Sequence, residues 1–276
     1  MTISLDTFIE IGDQHKICED YILQTFDPIP AIILSDGCSM SNNSEMGARI
    51  LCYLAKQYLK YRGVDAEPLN YHKMGTWIIH NAELIAKQLG LNSSALDATL
   101  IVAYYMKNID KTIIYFYGDG CLILKDESGI ILKSVDYLKM NGDPSNSPYY
   151  LSYLINDKSN KNYKDLKLFK QVSTIYEDGT NTKYDAEYDE ETIHLIGDHI
   201  STILITSDGL KSFLKKESNG SKILLSPEDI IKVFVTFKNT NGEFLKRRLK
   251  TQMKSFLNVG ISHFDDLSVG AFLREK

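Results

Sequence analysis

Aspartates stand at the ends of apolar runs at widely separated points of the chain. Asp36 follows Ile-Ile-Leu-Ser, Asp208 follows Ile-Leu-Ile-Thr-Ser, and Asp119 lies in a Gly-Asp-Gly turn between two apolar runs. A fourth station, Asp265-Asp266, directly precedes the last apolar run. A carboxylate at the mouth of a buried strand is costly unless it is paired, hydrogen-bonded or bound to a metal. Hard oxygen ligands without a matching set of histidines or cysteines favour magnesium or manganese.

The order of these stations is more specific than any one of them, because Asp and Gly are ordinary turn formers after a strand. Five stations occur in order, the last one double: GDQHKICED (12–20), SDGCSMSNNSEMGARI (35–50), DATLIVAYY (97–105), YFYGDGCLIL (115–124), and ILITSDGLKSF (203–213) with FDDLSVGAFL (264–273). The ordered set resembles the metal-dependent serine/threonine protein phosphatases of type 2C. The resemblance extends from about Ile11 to Leu273.

The resemblance implies a centre of two manganese or magnesium ions. Asp36 would bridge both ions, and the carbonyl of Gly37 would complete the protein ligands of the second ion. Asp208 and Asp265 would hold the first ion, Asp265 being preferred to Asp266 because it matches the family's metal aspartate. Such a centre activates a water that attacks phosphorus in line, while the cations neutralise charge on the phosphoryl oxygens.

Three further acidic residues are carried over by the same resemblance. Glu19 and Asp20 would hydrogen-bond the waters on the metals and so fix their orientation. Asp119 matches a residue that binds a third, weaker ion in relatives. The usual companion of that residue is an aspartate, and this chain has Ser212 there. The alternative, in which Asp119 only shapes its turn, therefore stays open.

Two departures concern the handling of the phosphate. Many relatives place an arginine in the first segment to grip it, and here His15 or Lys16 stands near that position. Lysine supplies the charge without the bidentate fork of arginine. Some relatives follow the metal Asp-Gly with a histidine that acts as general acid, and this chain has Cys38. Cys121 replaces the arginine of a Gly-Asp-Ser-Arg element, a change that we interpret as structural.

The elements that must position these residues follow from hydrophobic periodicity. The pattern predicts strands at 3–11, 17–25, 31–35, 99–106, 112–117, 122–125, 130–135, 192–196, 202–206 and 267–273. It predicts helices at 47–61, 77–89, 227–237 and 242–257. Strands interrupted by helix pairs favour a sheet sandwich with helices outside over a parallel α/β sheet. This agrees with the α+β class that the resemblance implies, an αββα four-layer sandwich, here over a single domain of residues 1–276.

Residues 136–191, called the insertion below, form the least regular part of the sequence. They are rich in Asn, Asp, Ser, Lys and Tyr, and we expect one short helix there, Ser147 to Ile155. The simplest interpretation is a surface excursion. Since the resembled family often carries a mobile flap at this place, a substrate-contacting role is the second interpretation.

Composition narrows the class of function. The net charge is −5, from 31 basic and 36 acidic residues without a long run of either sign, which disfavours nonspecific nucleic-acid binding. The four cysteines show no C-x-x-C spacing and are expected to be reduced thiols. No signal peptide and no apolar run of the roughly 20 residues needed for a membrane span is present. We therefore expect a cytoplasmic protein without a membrane partner.

The leading hypothesis is a manganese- or magnesium-dependent phosphatase that acts on phosphoserine or phosphothreonine in a protein and opposes a kinase. A non-catalytic member of the same fold, which binds a phosphoprotein or another partner, is the alternative favoured by the departures. Retention of every implied ligand argues against that alternative, because a carboxylate cluster without its cation is destabilising. Hydrolysis of a small phosphorylated metabolite is a third possibility with the same metal site.

Overall fold

The computed structural model describes residues 2–62, 67–145 and 147–275. Five α-helices lie in this part of the chain: α1 Ser44–Arg62, α2 Tyr71–Gln88, α3 Asp157–Asp165, α4 Pro227–Phe234 and α5 Phe244–Asn258. Sixteen strands accompany them: β1 Thr2–Glu10, β2 Tyr21–Thr25, β3 Ala31–Ser35, β4 Leu100–Met106, β5 Lys111–Tyr117, β6 Gly120–Asp126, β7 Gly129–Leu138, β8 Pro144–Ser145, β9 Phe169–Tyr176, β10 Asn181–Ala186, β11 Thr192–Ile196, β12 Thr202–Thr206, β13 Phe213–Lys216, β14 Lys222–Leu224, β15 Ile261–His263 and β16 Leu267–Glu275.

Two antiparallel sheets form the centre of the fold. The larger has the order β1-β16-β12-β6-β7-β9-β10, with β8 paired to β7, and the smaller has the order β11-β5-β4-β3-β2. A third sheet of three short strands, β14-β13-β15, lies apart from them. The first and last strands pair along their whole length, from Thr2 with Glu275 to Glu10 with Leu267. Strands from both ends of the chain therefore meet in the larger sheet.

The layers follow from the alternation of side chains along each strand. In β3, Ile33 packs against α1 and α2, whereas Ile32 and Leu34 face the other sheet. In β12, Leu204 packs toward α4 and α5, and its neighbours on either side enter the core between the sheets. Since successive side chains of a strand point to opposite faces, strands buried on both faces must be apolar throughout. The αββα arrangement of the α+β fold is thereby confirmed.

Close approach of the sheets depends on a glycine. A Cβ atom on Gly270 in β16 would lie 2.4 Å from Cγ2 of Ile32. Real Cβ atoms do not tolerate that separation, so no larger residue fits there without moving one sheet.

The helix and strand predictions were right in kind and differ at the ends. The strand expected at 17–25 begins only at Tyr21, and α2 begins at Tyr71 rather than at Trp77 because Asn70 caps it, its side chain accepting a hydrogen bond from the amide of Lys73 at 2.8 Å. A polar cap fixes a helix start that apolar spacing alone does not show.

The insertion is more regular than predicted. The expected helix from Ser147 to Ile155 is wrong: a single 3-10 turn covers Leu151–Leu154, and the α-helix α3 follows it. Asn156 caps α3 by accepting from the amide of Ser159 at 3.0 Å. The insertion also supplies β9 and β10, which extend the larger sheet past β7.

Candidate metal centre

The loop after β3 presents Asp36 at the edge of the smaller sheet. Its amide donates to Oγ1 of Thr99 at 3.1 Å, and its carbonyl accepts from the Thr99 amide at 2.8 Å. The next amide, of Gly37, donates to the carbonyl of Glu19 at 3.3 Å. A Cβ on Gly37 would lie 2.9 Å from that carbonyl oxygen and 2.9 Å from the carbonyl carbon of Ser44. Only glycine lets this loop pack between the first segment and helix α1.

Asp208 lies at the corresponding end of β12, at the start of a 3-10 turn over Asp208–Lys211. The following glycine has an equally strict steric role. A Cβ on Gly209 would lie 1.8 Å from the carbonyl oxygen of Asp266. Gly209 therefore allows the Asp208 turn to pack directly on the backbone that carries Asp265 and Asp266.

The two adjacent aspartates have different surroundings. Asp266 is buried, and its carboxylate accepts from the amide of Gly12 at 2.8 Å and from the amide of Glu19 at 2.6 Å. Asp265 is half-buried, and its charge interacts with Asp208. Because both oxygens of Asp266 accept backbone hydrogen bonds that tie the first segment to the segment between β15 and β16, Asp265 is the better candidate ligand.

Asp20 lies beside the candidate ligand Asp208. One carboxylate oxygen accepts from the hydroxyl of Ser207 at 2.8 Å. The other, Oδ1, is buried and has no hydrogen-bond partner among the described residues. An unpaired buried carboxylate oxygen beside further acids is a site that a cation or its water would satisfy. The donor set, carboxylates and a carbonyl, suits Mn²⁺ or Mg²⁺.

The acidic side chains raise one another's pKa values. Burial, together with the charges of Asp20 and Asp208, holds the pKa of Asp36 well above its ordinary range. Burial raises the pKa of Asp20 strongly as well. Burial and the charge of Asp208 raise the pKa of Asp265 to about 6. These side chains, expected to gather from four parts of the sequence, do converge, and a divalent cation between them would remove the repulsion.

Asp119 also belongs to this cluster, next to a cation that the sequence did not point to. Burial and the charge of Asp208 raise the pKa of Asp119 well above its ordinary range. The ammonium of Lys211 forms an ion pair with Asp136, and its positive charge partly offsets the rise in the pKa of Asp119. Although burial opposes it, the surrounding negative charges raise the pKa of Lys211, so the ammonium is retained at neutral pH. Its partner Asp136 lies on β7, in the insertion.

The two residues expected at the phosphate differ in position. His15 points into the centre, with Nε2 at 3.3 Å from Oδ1 of Asp265 and Nδ1 at 3.0 Å from Oδ2 of Asp266. Burial lowers its pKa, but these carboxylates and Glu19 outweigh burial and raise it. Lys16 is exposed. His15 therefore belongs to the candidate centre, whereas Lys16 lies on the protein surface.

Several site residues were missed by sequence reasoning. Lys211 and Asp136 pair across 75 positions, and Ser207 orients Asp20 across 187. Only the position of Lys211, three residues after a candidate ligand, was a usable signal. Ser152 of the insertion donates to Oδ1 of Asp97 at 2.6 Å, and the other oxygen of Asp97 accepts from Ser41, after Asp36, at 3.0 Å. The insertion thus rests against the loop that follows Asp36.

Comparison with known proteins agrees with this geometry. The family model described as Protein phosphatase 2C matches residues 12–258, and the chain therefore belongs to the protein phosphatase 2C family of serine/threonine phosphatases. The family model ends before Asp265, so the match does not include that residue. No curated protein sequence matches the chain.

Solved structures of low sequence identity share the fold. A bacterial serine phosphatase aligns with a TM-score of 0.61 at 12% identity, covering 99% of this chain and 98% of its own. Serine/threonine phosphatase Stp1 from Staphylococcus aureus aligns with a TM-score of 0.58 at 12% identity, covering 100% and 96%. The catalytic domain of PstP, solved in complex with two manganese ions, aligns with a TM-score of 0.53 at 14% identity, covering 99% of both chains.

Within the described residues, no helix has both the length and the apolar character required to cross a bilayer.

Proposed function

We propose that the chain hydrolyses phosphoserine and phosphothreonine in a protein substrate at a centre of two Mn²⁺ or Mg²⁺ ions. The observation that carries the proposal is the closeness of Asp208 to Asp36, Asp265 and Asp20, whose buried Oδ1 has no hydrogen-bond partner among the described residues. The two manganese ions in the PstP structure support the choice of metal. A kinase would supply the phosphorylated substrate, and the reaction needs no membrane or nucleic acid.

The candidate ligands form two groups, one for each ion. Asp36 and the Gly37 carbonyl, fixed by Thr99 and Glu19, would hold one ion, with Asp36 shared by both. Asp208 and Asp265 would hold the other. Bound divalent cations supply charge neutralisation for the phosphoryl oxygens and lower the pKa of an attacking water.

The protein's own cations lie on two sides of these ligands. His15 stands beside Asp265, and Lys211 stands beside Asp119. Each is anchored by a carboxylate, Asp266 for His15 and Asp136 for Lys211. Fixed cations at the rim of the centre orient a phosphate group without the cost of reorganising in the transition state. With Ser212 in place of the usual companion aspartate and the ammonium of Lys211 beside Asp119, a third metal ion is disfavoured there.

The test is release of phosphate from a phosphothreonine peptide by the purified chain with Mn²⁺, with a chelator, and with Asp208→Asn. Manganese-dependent release that both the chelator and Asp208→Asn abolish is the expected result. Asp165→Asn, an exposed aspartate on α3, is the matched control and retains the activity.

Binding without hydrolysis is the alternative, and one observation favours it. Both rim cations are already paired with carboxylates, which lowers the charge that they can offer to a phosphate. Calorimetry separates the two functions. Mn²⁺ binding with an intact peptide would contradict the enzymatic proposal and support a phosphoprotein-binding protein.

A further inference from the structure

A cavity of about 120 Å³ lies between helix α2 and the insertion. Tyrosine rings make up much of its wall: Tyr71, Tyr117, Tyr137, Tyr149 and Tyr188. None of the candidate metal ligands lines it. The carboxylate centre therefore does not account for this cavity.

The wall presents mainly ring surfaces because tyrosine hydroxyls of the wall donate hydrogen bonds to backbone carbonyls. The Tyr71 hydroxyl donates to the carbonyl of Phe116 at 2.7 Å, and that of Tyr117 donates to the carbonyl of Tyr71 at 2.7 Å. The Tyr137 hydroxyl donates to the carbonyl of Tyr188 at 3.2 Å. Aromatic faces carry partial negative charge, so such a wall accepts both aliphatic stems and cations.

The mouth of the cavity is acidic. Asp189 and Glu190 line it and are exposed, and Glu191 lies next to them, 2.9 Å from Nε2 of His72. The one ammonium in the lining, of Lys170, is buried and is bound to the backbone carbonyl of Glu190. One ammonium does not balance the carboxylates, and it is turned to a carbonyl rather than to the opening. The mouth therefore keeps an excess of negative charge.

The cavity lies close to the carboxylate centre. Gly118 lines it and directly precedes Asp119. The charge of Asp119 acts on Tyr137 in the wall and on Tyr163 behind it. A chain whose phosphorylated side chain reached the metal centre would thus pass beside the cavity.

We propose that the cavity is a substrate subsite that takes an arginine or lysine side chain close to the phosphorylated residue of the protein substrate. The subsite rests on the proposed function, and it defines the class of phosphoprotein more narrowly. The aliphatic stem packs on the tyrosine rings, and the cationic head reaches Asp189 and Glu190 at the mouth. An acidic side chain at the same place meets like charge and is rejected.

The test compares phosphothreonine peptides that differ at one position, with Arg, Leu, Ala or Asp placed in turn at each residue near the phosphothreonine. At one position the Arg peptide is expected to exceed the Ala peptide about tenfold in kcat/KM, with Asp lowest. Equal rates at every position, or a preference for Leu over Arg, would overturn the subsite.

Asp189→Lys tests the acidic mouth, and Asp165→Lys on α3 is its matched control, since both aspartates are exposed and belong to the insertion. Asp189→Lys is expected to bring the Arg/Ala ratio of kcat/KM close to one or below it, whereas Asp165→Lys keeps the ratio. An unchanged ratio in Asp189→Lys would contradict the proposal.

The two proposals fail in different ways. If no peptide is hydrolysed, the phosphatase proposal fails, and calorimetry with the Arg and Ala phosphopeptides then decides the subsite. Tighter binding of the Arg peptide that Asp189→Lys removes supports it. Equal binding of both peptides overturns it.

Discussion

The candidate ligands are carboxyls that the fold holds together against their own repulsion. Burial and neighbouring acids raise the pKa values of Asp20, Asp36 and Asp119 well above the ordinary range, and that of Asp265 to about 6. A group whose pKa is higher in the folded state takes up a proton on folding. The metal-free fold is therefore most favoured when these groups are protonated.

The stability of the metal-free protein is predicted to fall as the pH rises through this range. Between 3.8, the ordinary value for Asp265, and about 6, the folded state binds more protons than the unfolded state, so the free energy of unfolding decreases with increasing pH. Mn²⁺ should restore stability most at pH 7.5, by about 2.7 kcal/mol per site when its concentration is 100 times Kd. Thermal unfolding with chelator or Mn²⁺ at pH 5 and 7.5 measures both effects. A Mn²⁺ shift equal at the two pH values would contradict the carboxylate assignment.

Single residues were predictable where a local pattern marked them. Asp36, Asp119 and Asp208 each follow an apolar run, and that position alone brings them to the strand ends that converge. Asp136 carried no such mark, because it was assigned to the irregular insertion instead of to β7. Its pairing with Lys211 depends on how β7 packs beside the turn after β12, which no local pattern encodes.

At the scale of elements, the turn after β12 is fixed by a contact that excludes every side chain. A Cβ on Gly209 would lie 1.8 Å from the carbonyl oxygen of Asp266. Gly209→Ala is predicted to destabilise the protein by about 1–3 kcal/mol and to weaken Mn²⁺ binding, because the turn must move away from Asp265. Urea unfolding and calorimetry measure the two effects.

Gly197→Ala is the control for that substitution. A Cβ at Gly197 would meet only the side chain of His199, at 3.0 Å, which can rotate away. Near-normal stability and Mn²⁺ affinity are expected. A Gly209→Ala protein that matched this control would show that the turn and the segment between β15 and β16 are not in contact.

The two large sheets are joined far from the metal centre by Arg274 on β16. Its guanidinium is buried and donates to the carbonyl of Gly197 at 2.6 Å and to Oγ1 of Thr112 at 2.7 Å. Arg274→Met is predicted to cost about 1–3 kcal/mol, because buried acceptors lose their donor. Mn²⁺ affinity should not change, since Arg274 lies at the opposite end of β16 from Asp265. Arg62→Met, at an exposed arginine on α1, should be neutral in the same unfolding assay, and equal effects of the two would contradict the inter-sheet role.

Helices and strands were predictable where the hydrophobic period and the length of the apolar run indicated the same element. β11 and β12 were placed to the residue, since short β-branched runs between turn residues have few alternatives. The strands of the insertion were not predicted because they are polar. Five of the six residues of β10 are exposed, and no apolar alternation marks them. Their pairing is set by the edge of the larger sheet, which is a tertiary feature.

Over the whole molecule, the central core is shared by both sheets. Ile203 of β12 and Phe272 of β16 pack in one cluster with Ile32 of β3 and Ile114 of β5. Neither sheet can lose this core without exposing the other. We infer that residues 1–276 form a single folding unit.

The metal-free protein is therefore predicted to unfold in one transition, with the calorimetric enthalpy equal to the van 't Hoff enthalpy. Ile203→Ala, which empties part of the shared core, should lower stability by about 2–5 kcal/mol and shift the whole transition. Scanning calorimetry measures both. Two transitions, only one of them moved by Ile203→Ala, would show independent units.

The pairing of β1 with β16 also bears on synthesis of the chain. In the larger sheet β1 hydrogen-bonds to β16, which separates it from β12, so the first strand has no place in that sheet before residues 267–275 exist. Asp265 is made just before them. On the ribosome, a nascent chain therefore lacks both the strand that joins β1 to β12 and one candidate ligand until residues 265–275 have been made. Completion of the candidate ligand set and completion of the larger sheet therefore depend on the same segment, residues 265–275, leaving the exit tunnel.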